Sequence, residues 1–99
     1  MKVTLQYFDS CPNWEVTDQR LQQVISSHSL DVALTYQLVE SPEEAEKYGF
    51  HGSPSILING VDPFATENTK VGFACRIYFT DTGAAEAPTV EQITQALGV

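Results

Sequence analysis

Two cysteines are the strongest nucleophiles in the chain, and they stand in unlike settings. Cys11 lies in Asp9-Ser10-Cys11-Pro12, a turn that gives way to a helical pattern from Asn13. A thiol reacts as its thiolate, and a cysteine at a helix start gains from unpaired backbone N–H groups and the helix dipole, which lower its pKa. Pro12 removes one competing donor and presets the helical backbone angle, so the turn is rigid. Asp9 acts in the opposite direction, since a nearby carboxylate disfavours the thiolate. Cys75 belongs to the alternation Phe73, Cys75, Ile77, Phe79, where a buried core cysteine is the ordinary explanation. It becomes a second thiol for Cys11 only if the loop at 61–71 folds back and brings the two Cα atoms within about 7 Å. Strand three is expected to lie between them.

The other polar residues give weaker signals. His28 and His51 lack metal-ligand spacing with each other or with the cysteines, so no metal site or cofactor is expected and both read as surface or capping residues. Glu43, Glu44 and Glu46 fit a solvated helix face near its positive end.

Positioning these groups falls to a short chain. Its 99 residues, 42% of them hydrophobic, suit one domain over residues 1–99 with one modest core and no disulfide scaffold. Thirteen acidic residues against five basic ones give a formal charge of −8, which repels a phosphate backbone or an anionic membrane. Neither nucleic acid nor membrane is an expected partner. No apolar run near Met1 is long enough for a signal peptide or a membrane span, so a cytoplasmic location is expected, with the cysteines reduced.

Val3, Leu5, Tyr7 and Phe8 mark a strand, and Trp14, Leu21, Val24, Ile25 and His28 fall near one face of a helix that runs to about Ser27. Val32, Leu34, Tyr36 and Leu38 alternate as a second strand, and Ser41-Pro42-Glu43-Glu44 carries an N-cap, a first-turn proline and a capping-box glutamate, with Gly49 as the stop. Ile56, Leu57 and Ile58 suit a short central strand covered on both faces, closed by the turn signal Asn59-Gly60. Residues 61–70 read as a long loop, 72–80 as a fourth strand, and Thr89-Val90-Glu91-Gln92 as a capping box opening a last helix. The order β-α-β-α-β-β-α makes an α/β fold with a four-stranded mixed sheet and helices on both faces.

Cys11-Pro12 directly after the first strand, and Gly52-Ser53-Pro54-Ser55 directly before the third, resemble the thioredoxin superfamily. The match covers nearly the whole chain in element order, and Lys47-Tyr48-Gly49-Phe50-His51-Gly52-Ser53-Pro54 is similar to the family's approach to its cis-proline. The resemblance implies a thioredoxin-like fold, with Cys11 as nucleophile and Pro54 as a cis-proline opposite it. A cis bond there would leave the Ser53 backbone as an open, strand-like edge able to bind an extended thiol or peptide. Trp14 stands where the family motif has its resolving cysteine, so a local dithiol cycle is excluded; the tryptophan reads as helix core or as one wall of a groove shared with Pro12. Gly72-Phe73-Ala74-Cys75-Arg76-Ile77-Tyr78-Phe79 also resembles a cysteine-bearing segment of organomercurial lyases, with Ala74 where that segment has a further cysteine.

Three functions follow from these resemblances. The first is thiol–disulfide chemistry through Cys11, its partner a low-molecular-weight thiol or a protein thiol. The second is alkylmercury-lyase-like or soft-metal thiol binding through Cys11 and Cys75. The third is a redox-inactive binding module using the groove beside Pro54.

Overall fold

The computed structural model describes residues 1–99. Strand β1 (Lys2–Tyr7), helix α1 (Asn13–Ser27) and strand β2 (Ala33–Leu38) form a parallel pair with a helical crossover, and β3 (Ser55–Ile58) runs antiparallel along the other side of β1. The period of two divides β1 cleanly. Val3 and Leu5 are fully buried and join Ile56 of β3, Leu21 and Val24 of α1, and Ile93 and Leu97 at the C-terminal helix α3 (Val90–Ala96) in the main core. Each such side chain contributes about 1.5–3 kcal/mol on burial. The opposite face of β1 and β2 carries polar ladders, Thr4 with Thr35 at 3.0 Å and the Gln6 amide donating to Gln37 at 2.7 Å.

The capping signals act as expected. Ser41 accepts from the Glu44 N–H at the start of α2 (Pro42–Tyr48), and Gly49 ends it in the left-handed region at φ 65°. The Glu44 carboxylate reaches back to the Glu40 N–H, one residue earlier than in an ordinary capping box. Thr89 and Gln92 form the complete box at α3.

The sheet departs from expectation in two respects. It has three strands in the order β2-β1-β3, so β1 is central and β3 lies at an edge. Helices α1 and α3 share the face of Val3 and Leu5, while α2 packs through Ala45 on Phe8, Val39 and Phe50. The expected fourth strand over 72–80 shrinks to β4 (Tyr78–Thr80), which pairs only with β5 (Gly83–Ala85) in a separate hairpin.

The cause is an inverted face. The alternation over 73–79 is real, but Phe73, Cys75, Ile77 and Phe79 point outward, with Ile77 49% and Phe79 81% exposed, while Arg76 and Tyr78 turn inward. Arg76 finds a carboxylate inside, and the Tyr78 hydroxyl donates to the Pro54 carbonyl at 2.5 Å while its ring meets Phe64 edge-on. Paired polar groups of this kind can be buried, and they displaced the apolar set. No helix is long and apolar enough to cross a membrane.

Candidate functional site

The site forms where β1 runs into α1. Phe8 ends the strand, its carbonyl accepts from the Cys11 N–H at 3.2 Å, and Pro12 caps α1 with φ −69°. Cys11 is thereby placed immediately before a 15-residue helix, 1% exposed, in a small apolar cluster with Phe8, Val39, Ala45 and Phe50. Trp14, in the first turn of α1, stacks on Tyr7 with ring centroids 4.3 Å apart and packs against the main core. Its observed contacts are structural.

The Ser53–Pro54 peptide bond is cis, and both residues are buried. The Ser53 carbonyl lies 3.6 Å from Cys11 Sγ, and the Ser53 hydroxyl accepts from the Phe8 N–H at 3.3 Å. Cys11, Ser53 and Pro54 are therefore brought together. Ser53 does not present an open edge, however. Its N–H donates to the Ala74 carbonyl at 2.9 Å and its carbonyl accepts from the Arg76 N–H at 2.8 Å, a parallel bridge that lays residues 74–76 along it.

That docking decides the fate of Cys75. The residue is exposed rather than buried in the core, no strand separates it from Cys11, and the two sulfurs are joined in a disulfide with Cα atoms 6.1 Å apart. This separation lies inside the usual disulfide range. Expectations of a core cysteine and of an intervening strand three are corrected together, and the distance condition for pairing the two cysteines is met, because the single Ser53 bridge places Cys75 directly against the turn that carries Cys11.

A polar cluster supports the docked segment. Arg76 Nη1 donates to Asp62 Oδ2 at 2.6 Å and to Ser55 Oγ at 3.1 Å, and His51 Nδ1 lies 2.8 Å from the same Asp62 oxygen. Asp62 also accepts from the Phe64 N–H at 2.9 Å. Burial acts most strongly on this carboxyl and would raise its pKa. The hydrogen bonds from Arg76 and His51, the Arg76 charge and the Phe64 N–H together outweigh burial and hold it below its ordinary value. Burial pushes the Tyr78 hydroxyl far above its usual range despite the nearby Arg76, so it remains a donor.

His51 is thus half-buried and bonded, not a surface residue, while His28 is the exposed C-cap of α1. The sequence signal for this cluster was Arg76 itself. A lone arginine amid apolar alternation requires a carboxylate if its face turns inward, and Asp62 in the long loop supplies it.

Gly52 permits the close approach. Its φ is +106°, and a Cβ there would stand 2.9 Å from the Ala74 carbonyl and 3.1 Å from Arg76 Cβ. No group of three or more His, Cys, Asp or Glu side chains gathers into a metal-binding cluster. No protein-family model matches the chain, and no curated protein matches it as a relative.

Proposed function

We propose that the protein performs thiol–disulfide exchange through Cys11 and Cys75 on a thioredoxin-like fold. The observation that carries this reading is the Cys11–Cys75 disulfide at the head of α1, beside the cis bond before Pro54. The parallel β1-α1-β2 unit, antiparallel β3 and the packing of α3 on α1 support the fold. The shortened fourth strand is its main departure. Cys75 supplies the second thiol that Trp14 cannot, so the cycle closes within the chain.

The two sulfurs have different parts. Cys75 is the exposed member and Cys11 the buried one, so an incoming thiolate attacks Cys75 Sγ. The internal S–S bond breaks and its electron pair leaves on Cys11 Sγ. A second partner thiolate then attacks the partner's own sulfur in the mixed disulfide, and Cys75 departs as a thiolate. Two partner thiols have become one disulfide, and the protein holds two thiols. The reverse sequence reduces a partner disulfide: the Cys75 thiolate attacks it and releases one partner thiolate, and Cys11 then attacks Cys75 Sγ, closing the internal disulfide and releasing the second partner thiolate. In the cytoplasmic setting that we expect, the dithiol is the resting form and the disulfide is formed in turnover.

Turnover of a small disulfide such as oxidised glutathione should fall roughly a hundredfold or more in Cys11→Ser, because the intramolecular partner is lost. Cys11→Ser should also accumulate a mixed disulfide on Cys75, visible by mass spectrometry. Unaltered turnover in Cys11→Ser, or no linked 11–75 peptide after oxidation, would exclude the reading.

The same juxtaposition favours a second reading, in which the reduced pair clasps a soft cation between two thiolates. One Hg(II) per monomer, lost in either single-serine variant and accompanied by no disulfide turnover, would support it over the first.

A further inference from the structure

Cys75 is held on both sides by contacts that involve no sulfur. Ala74 and Arg76 are bonded to the Ser53 backbone, and the Arg76 guanidinium is anchored on Asp62 and Ser55. Beyond them the Tyr78 hydroxyl donates to the Pro54 carbonyl. Resting on the thiol-exchange reading above, we infer that Arg76 and Asp62 are positioning residues whose ion pair keeps residues 74–76 docked along Ser53 after the disulfide is reduced. Cys75 then stays beside Cys11 throughout the cycle.

The segment is also held upstream, where Phe73 packs on Phe8 with ring centroids 4.6 Å apart and the Gly72 N–H donates to the Phe50 carbonyl at 3.0 Å. Around Cys75 itself, Ala74, Cys75 and Ile77 are exposed, and the inward anchors are Arg76 and the buried Tyr78. Detaching it would strip the guanidinium from a carboxylate that is 3% exposed, leaving a buried charge without its cation. Removing one partner of such a pair is strongly unfavourable. It would also leave the N–H and carbonyl of Ser53, a fully buried residue, without their partners. Reduction of the sulfur bond removes none of these contacts.

With Cys75 docked, the Cys11 thiol acts at high effective concentration on any mixed disulfide that Cys75 forms. Mixed disulfides with an external thiol are then short-lived, and the internal disulfide dominates over them. Arg76 exerts this effect through the position of Cys75 and does not itself touch the reacting atoms.

The test is the equilibrium protein dithiol plus oxidised glutathione to protein disulfide plus two reduced glutathione, read by mass after acid quenching. Arg76→Met should lower its constant by about tenfold or more, and Arg76→Lys should restore part of the loss. An unchanged constant in Arg76→Met overturns the inference. Hydrogen exchange on the unmutated protein gives a second measurement that needs no variant to fold. The Ser53 and Arg76 amides should stay protected in the dithiol form, and exchange there at the rate of exposed amides overturns the inference. Protected amides in a protein that never forms the internal disulfide would uphold the docking and defeat the thiol-exchange reading. Open amides with normal disulfide formation would do the reverse.

Discussion

Asp62 is a buried anion whose charge is matched by Arg76 and whose oxygens accept from His51, Arg76 and the Phe64 N–H. Its folded pKa lies below the ordinary value, so the folded state releases its proton more readily than the unfolded chain. The sign follows from linkage: the stabilisation is fully present above about pH 4 and is lost as pH falls through the lowered folded value. Urea unfolding between neutral and acidic pH should therefore show a drop in stability below about pH 4 that Asp62→Asn lacks. At neutral pH the same variant should be less stable by about 3 kcal/mol or more, because Arg76 is left buried without its counter-charge. Equal stability of the two proteins at neutral pH would mean that water already compensates the guanidinium.

Most elements are legible in the sequence because their signals are local. The Ser41 and Thr89 caps, the Gly49 stop and the alternation of β1 depend on residues a few positions apart, and the structure repeats them. The Asn59-Gly60 turn also forms, with both residues at positive φ and a bridge between Ile58 and Val61. The segment after the long loop was not legible in the same way. Its period of two was plain, yet which face turned inward depended on Asp62, fourteen residues from Arg76. A one-residue choice of face moved Cys75 from the core to the surface and against Cys11, so the second thiol of the site was visible only as a conditional pairing. Gly52 is where this long-range choice meets local geometry. Gly52→Ala should cost more than about 1 kcal/mol, since the residue is at positive φ and its new methyl would press on the Ala74 carbonyl. Because the pressed atom belongs to the docked segment, the fraction of Cys11–Cys75 disulfide at a fixed glutathione ratio should fall as well. A loss of stability without that loss of disulfide would confine the effect of Gly52 to its own backbone.

At the scale of the whole molecule, the charge of −8 bears on which thiols reach Cys75. An open cleft of about 270 Å³ lies beside the Cys11 turn, with Phe8, Leu38, Val39 and Phe73 among its lining and Asp9 and Glu40 at its rim. The general field and the local rim have the same sign, so they disfavour an anionic thiolate and leave a zwitterionic one unopposed. Rates of reduction of the internal disulfide by 2-aminoethanethiol and by 2-mercaptoethanesulfonate, each expressed per thiolate, should therefore differ on the order of tenfold at low salt. Screening sets the second half of the test. At about 0.5 M salt the Debye length falls to a few ångströms, so the ratio should collapse toward unity if long-range repulsion is the cause. A ratio that persists at high salt would place the discrimination in direct contact with Asp9 or Glu40, and Glu40→Gln would then reduce it. A ratio near unity at every salt concentration would mean that access to Cys75 is governed by neither field nor rim.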